Sequence, residues 1–264
     1  MNNLIKLILN TFSRTFLIKI SFIFQPILAV FLKGNKFTDP IDGKSFSTFL
    51  PYGYNNLRKN ALSPSTFSLE RHRLLWLYLK NETDFFTKKI KLLHFAPEQA
   101  FYKKFKKLSN IDYDTIDLNS PIAKIKADIC NLPIKDNTYD FILCNHVLEH
   151  VLDDKKAIKE LYRVLKKGGT GIFQVPIDMK RKCTFQDDSI IDKDERNKIF
   201  GQYDHVRVYG LDYFMKLRNA GFKVEEIDYT VSLSVNEINK FSIKKGEIIP
   251  VLSLIHISEP TRLV

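Results

Sequence analysis

The chain has 264 residues, 44% of them hydrophobic and 27% charged, and a formal net charge of +11. That composition excludes a disordered or fibrous protein and suits one α/β domain with additions, or two small domains. Its three cysteines, Cys130, Cys144 and Cys183, lie far apart with no CxxC pair. They argue against a disulfide framework and for a reducing compartment, the cytoplasm. The lysines come in short scattered runs such as Lys88-Lys89 and Lys103-Lys104, which read as a solvated surface, and no nucleic-acid partner is expected.

Residues 4–32 are mostly apolar, with Leu4, Ile5, Ile8, Leu9, Phe12 and Phe16 at helical spacing. Lys19, Gln25 and Pro26 interrupt the run, so it falls short of the roughly 18 to 20 residues of a membrane span. Two readings stay open: a basic amphipathic anchor in peripheral contact with the inner membrane face, or a helical lid on the domain. Residues 34–68, rich in Gly, Pro, Asn and Ser, predict loops or a small hairpin module. Ser68 then reads as the N-cap of a helix to about Lys80, with His72, Leu75, Trp76 and Leu79 on its core face.

From Ile90 strands and helices alternate. Strands are predicted over 91–95, 111–117, 124–128, 139–145, 170–176 and 223–230, and helices over 98–108, 157–169 and 211–222. Gly168-Gly169 would end the second helix. The alternation predicts an α/β fold with a doubly wound, mostly parallel sheet and an N-terminal helical extension. Ligands of such sheets bind at the carboxyl ends of the strands, where the order reverses. Asp117 closes the second strand, placed to accept hydrogen bonds from two ribose hydroxyls; Asp128 closes the third, within reach of an adenine amino group; Asn145 and His146 close the fourth.

The block YDFILCNHVLEHVLDDKKAIKELYRVLKKGGTGIFQVP (139–176) resembles the type 11 branch of the class I S-adenosylmethionine-dependent methyltransferases. HFAPE (94–98), NHVLEH (145–150) and FGQYDHVRVYG (200–210) together resemble a bacterial subfamily of that branch. The resemblance covers roughly residues 90–230 and implies a Rossmann-like methyltransferase sheet with S-adenosyl-L-methionine as cofactor. It implies cofactor contacts from His94, Ala96, Glu98, Asp117, Leu118, Asp128, Ile129, Asn145 and His146. The loop after the first strand, LLHFAPEQAF, lacks the glycines usual in the family. Ala96 and Ala100 still permit close backbone approach, and Glu98 suits the cofactor's cationic amino group. A catalytically silent binding module at the membrane surface is the competing reading of that departure.

Some members of the subfamily carry a CPxCG…CPxC zinc knuckle before the SLERHRLLWLYL helix. Here Asp39, Asp42, Ser63 and Thr66 occupy the four thiolate positions, a poor zinc set, so a metal-free remnant is expected. His146, Glu149 and His150 spell HxxEH, the letters of an inverted zinc protease motif. With nothing obvious to supply a third ligand, the pattern reads as packing at a helix start, and no metal is assigned.

The insert 176–209 lies where this fold builds its acceptor pocket. Tyr203, Asp204, His205 and Arg207 form a dense polar group there, and His205 is a candidate base, with Asp204 and Arg207 as catalytic partners. The expected reaction is methyl transfer to a small-molecule or lipid-linked acceptor.

Residues 252–262 (LSLIHISEPTR) resemble an in-frame translated sequencing adapter. On that reading a strand beginning at KGEII (245–249) is cut short after about Val251. The expected organisation is N-terminal helices over 1–33, a knuckle-like module and helix over 34–82, the transferase domain over 83–251, and a foreign end over 252–264.

Overall fold

A computed structural model describes residues 24–53 and 57–254. The expected amphipathic helix falls largely on residues 4–23, and the foreign end largely on 255–264, both outside the described residues. Among the described residues no helix is long and apolar enough to cross a membrane. Two compact units are present, and they are not consecutive blocks of sequence. The first joins the N-terminal 84 residues to Glu98–Lys104 and Tyr229–Glu247; the second holds Phe85–Pro97, Phe105–Asp228 and Ile248 onward.

The first unit contains a helix over residues 24–31 and two small antiparallel hairpins. The hairpins pair β1 (Lys33–Thr38) with β2 (Ser45–Phe46), and β3 (Leu50–Tyr52) with β4 (Arg58–Leu62). They precede α1 (Glu70–Glu82), and most of α2 (Gln99–Phe105) belongs to the same unit. The core of the unit is polar at one point. Asp39 is fully buried; one carboxylate oxygen accepts from the Ile41 N–H and the other from the hydroxyls of Thr66 and Ser68. Asp42 bonds Ser65, whose N–H reaches the Ser63 hydroxyl. The four positions expected to descend from a zinc knuckle are thus tied up by one another and by the neighbouring serines. Ser68 is not the helix N-cap the sequence suggests, because its hydroxyl is committed to Asp39. Leu69 takes that place, with its N–H held by His72 Nδ1 at 3.1 Å.

Beside this carboxylate lies Arg73, also fully buried. It donates to the carbonyls of Ala61, Ser68, Phe241 and Ser242 and stacks on Phe49 at 4.8 Å. Burial lowers its pKa to about 10, and Asp39 and Glu70 pull it back up. Removing one partner of a buried charged network costs about 3 to 5 kcal/mol. Asp39→Ala is therefore expected to lower stability to urea by that amount, with Asp39→Asn, which keeps one acceptor, losing less.

The second unit is built on one seven-stranded sheet. Its strands are β5 (Ile90–Phe95), β6 (Ile111–Asp117), β7 (Ile125–Lys126), β8 (Tyr139–Cys144), β9 (Leu165–Ile172), β12 (Phe222–Ile227) and β13 (Ile249–Leu254). They lie in the order β12-β13-β9-β8-β5-β6-β7. Strands β5 to β9 run parallel, and β13 is antiparallel to both of its neighbours. This is the doubly wound, mostly parallel α/β sheet that the alternation predicted.

Helix α3 (Asp154–Val164) buries Ala157, Ile158, Leu161 and Val164 on one stripe, and the Asp153 carboxylate caps its start by accepting from the Lys156 N–H. It stops earlier than predicted. Leu165 is already extended, and Lys166 to Gly169 bulge out of β9 between the pairs Tyr139–Leu165 and Phe141–Thr170. The glycine pair therefore serves the sheet: a Cβ on Gly169 would lie 2.9 Å from the Asp140 carbonyl.

Strand β13 overturns the expectation that the sheet is interrupted after Val251. Leu252 pairs with Gly171 on one side and Val224 on the other, and Leu254 pairs with Phe222. Leu252 is fully buried and Leu254 nearly so. The alternation Leu-Ser-Leu suits a core strand whatever its origin. Leu252→Ala should cost about 2 to 5 kcal/mol, measured by urea unfolding, as for other buried leucines. A smaller loss would mean that β13 contributes little packing.

Candidate cofactor and acceptor site

The parallel register aligns Phe95 of β5 with Ile116 of β6 and with Cys144 of β8. One residue further along each strand stand Ala96, Asp117 and Asn145, on neighbouring strands about 4.8 Å apart. The chain leaves β5 to form β6 on one side and later β8 on the other, so this edge is the point where strand order reverses. Two non-glycine residues here have left-handed backbones, Ala96 at φ 43° and His146 at φ 54°. Each costs about 1 to 3 kcal/mol, a strain characteristic of ligand sites. Both are pinned: the Ala96 N–H donates to the Ile116 carbonyl at 2.9 Å, and the His146 N–H to the Gln174 carbonyl at 2.7 Å. Ala96 thus takes, at a cost, a conformation that glycine adopts freely.

Asp117 is half-buried, and its Oδ1 accepts from the N–H groups of Asn119 and Ser120 at 2.7 and 2.6 Å. That turn fixes the carboxylate and leaves Oδ2 for a ligand. Leu118 next to it is 61% exposed, an apolar side chain in water. Asp128 is exposed and bonds the Cys130 N–H, and Ile129 is buried beside it. Asn145 is buried, with Oδ1 accepting from the Gln174 N–H.

One of the expected cofactor residues, His94, stands elsewhere. His94 points into the core, fully buried, with Nδ1 2.8 Å from the Tyr113 hydroxyl and its ring against Phe105. It lies inside β5, on the sheet face that carries Tyr113 and packs against Phe105, so its side chain is a core group. Glu98 belongs to the first unit, where its carboxylate lies 4.0 Å from His72 Nε2.

The insert contains a short hairpin of β10 (Phe185–Gln186) with β11 (Arg207–Val208) around α4 (Lys193–Ile199). His205 directs Nδ1 at the Phe200 carbonyl, 3.3 Å away, and packs edge-on against His150 with ring centres 4.7 Å apart. Burial lowers its pKa, and Glu149 opposes that shift. His150 Nδ1 lies 3.2 Å from the Asp204 carbonyl and 3.4 Å from its carboxylate. Tyr203 is exposed.

Glu149 is 1% exposed, with Oε1 3.2 Å from His146 Nδ1. Burial pushes its carboxyl pKa up, but the hydrogen bond from His146 together with the charges of His146 and His150 outweighs this and holds it below the usual value. Three buried atoms around this turn have no hydrogen-bond partner: Glu149 Oε2, His146 Nε2 and Gln174 Nε2. Buried polar atoms are nearly always satisfied, so three orphans on neighbouring residues mark a place for a ligand. From the sequence Glu149 and His150 read as packing at a helix start, and Gln174 is not singled out. The HxxEH pattern was the available signal, and the fold adds His205, whose ring packs against that of His150.

Arg207 does not act on a ligand, contrary to the sequence reading. It is 1% exposed and spends its donors on the carbonyls of Leu148 and Leu152 and on Gln186 Oε1, at 2.6, 2.8 and 2.8 Å. It is a structural clamp.

Ala96→Gly should leave stability unchanged or raise it by up to about 1 kcal/mol, because the left-handed penalty disappears. Ala96→Val should lower it by more than that, read by urea unfolding. The opposite order would show that Ala96 is not strained.

Residues 91–173 match a family model described as a methyltransferase domain. An uncharacterized protein of Methanocaldococcus jannaschii is 28% identical over 140 residues, which cover 50% of this chain and 65% of that protein. The ubiquinone/menaquinone biosynthesis C-methyltransferase UbiE of Haemophilus ducreyi is 44% identical over 48 residues, 18% of each chain. The chain therefore spans less than two thirds of the length of these relatives. Among solved structures, the PH0226 protein of Pyrococcus horikoshii overlays with a TM-score of 0.42 at 20% identity, covering 70% of this chain and 91% of that one. The family match falls on β5 to β9 with their carboxyl ends, the part of the chain that carries Ala96, Asp117 and Asn145.

Proposed function

We propose that the protein transfers the methyl group of S-adenosylmethionine to a small-molecule acceptor. The observation that carries this reading is the strand-end edge itself. Ala96, Asp117 and Asn145 are level on three adjacent parallel strands, within the segment matching the methyltransferase domain. In this reading Asp117 Oδ2 accepts from the ribose hydroxyls, and Leu118, Asp128 and Ile129 flank the adenine. The backbone at Ala96, with Asn145 and His146, lies against the methionine portion. The cofactor supplies an activated methyl group, and the chain's work is to align it with the acceptor atom at about 3 to 3.5 Å.

The acceptor side is the 176–209 insert, where His205 and Asp204 lie. We assign the acceptor to a small or lipid-linked class. The helix over residues 24–31 supports the lipid-linked form, since it leaves Val30 and Phe31 mostly exposed, as a surface resting on lipid would.

The direct test is calorimetric titration with S-adenosylhomocysteine. Asp117→Asn keeps an acceptor for the Asn119 and Ser120 N–H groups but loses the charge. A charged hydrogen bond contributes about 1.5 to 3 kcal/mol, so affinity should fall about tenfold to over a hundredfold. Unchanged affinity would remove Asp117 from the cofactor site, and no binding by the parent chain would end the transferase reading. His205→Ala should lower turnover by roughly a hundredfold or more and leave homocysteine-cofactor affinity as it was. Equal loss of both would place His205 on the cofactor.

A further inference from the structure

We infer that Glu149, His150 and His205 bind one divalent first-row cation. One donor atom from each lies within 4.8 Å of the others. Ligands on a metal with bonds of about 2.1 Å stand roughly 3 to 4.2 Å apart, so closing onto an ion needs side-chain shifts of about half an ångström. Two imidazoles and one carboxylate are the ligand set of catalytic zinc and of open non-haem metal sites, which keep positions free for a substrate oxygen.

Three further features are those of a ligand set. Glu149 is buried with one oxygen on His146 and the other without a partner. A cation is the group that a buried, negatively charged oxygen lacks. Both histidines direct Nδ1 at an acceptor of the chain, His150 at Asp204 and His205 at the Phe200 carbonyl. Nδ1 then carries the proton and Nε2 presents its lone pair, as in metal-ligating histidines held by outer hydrogen bonds. Finally, the two segments are tied together: the Val206 N–H donates to the Glu149 carbonyl at 2.9 Å. His146, which holds Glu149, and Asp204, which holds His150, are positioning residues.

The consequence for catalysis rests on the transferase reading above. An acceptor hydroxyl on the cation would release its proton to solvent and attack as the bound alkoxide or phenolate. The new bond joins that oxygen to the methyl carbon; the sulfur–methyl bond breaks, and its electron pair stays on sulfur as the thioether. His205 then acts as a ligand rather than as the base.

The test is titration of the full chain with Co2+, read by the visible absorption of the bound ion and independent of any activity. One ion per chain is expected, with a band that Glu149→Gln and His205→Ala each weaken along with at least a tenfold loss of affinity. His205→Gln serves if the alanine variant does not fold. Affinity and band unchanged in both variants, or no saturable binding by the parent, would overturn the site. S-adenosylhomocysteine titration of the same samples separates the two ideas. Co2+ bound without the cofactor product leaves the cation site standing and removes the transferase reading; the product bound without Co2+ does the reverse.

Discussion

The buried guanidinium of Arg207 ties the 176–209 insert to the turn after β8. Residues 148–150 form only a short 3-10 turn, whose carbonyls have no following helix to bond them. Arg207 gives its donors to the carbonyls of Leu148, Val151 and Leu152 and to Gln186 Oε1, with Asp154 3.8 Å away. One side chain thus fixes the turn that carries Glu149 and His150 and, from β11, the strand two residues after His205. The Tyr209 hydroxyl completes the arrangement by donating to Asp154 at 2.9 Å, and burial raises its pKa. A cation with so many oriented acceptors is stable where a lone buried charge would not be.

The strand ends are strained, and the strain has a sequence origin. The loop after β5 reads HFAPEQ where a glycine would ease the turn, so Ala96 carries a left-handed backbone. His146 does the same after β8. The hydrogen bonds from Ala96 to Ile116 and from His146 to Gln174 hold these conformations in place. The glycine-poor loop therefore keeps, by hydrogen bonding, a backbone that glycine would adopt freely.

Much of this was legible in the sequence where periodicity and burial coincide. The apolar runs at 90–95 and 139–144, and the alternating 111–117, became β5, β8 and β6 within a residue of their predicted limits. The positions of Asp117 and Asn145 at the ends of β6 and β8 followed, because place along a strand is a local property, whereas Asp128 lies two residues beyond β7. What was not legible depended on distant partners. Arg207 reads as a catalytic partner in a polar pocket until Leu148, Val151 and Leu152 are folded beside it. His94 reads as a site residue until Tyr113 is placed 2.8 Å away. The cluster of Glu149, His150 and His205 joins residues 55 positions apart, which no local pattern encodes. Gly168-Gly169 misled because glycine marks both helix ends and crowded bulges.

Strand β13 has a consequence for how the protein is made. It is the last described element of the chain, yet it sits inside the sheet, between β9 and β12. During synthesis β9 and β12 emerge first and cannot pair with each other in the native order. Each waits with an open edge until residues 249–254 leave the ribosome, and open edges are where nascent chains associate wrongly. The sheet therefore closes from within, once residues 249–254 are made, even though β5 to β8 can pair earlier.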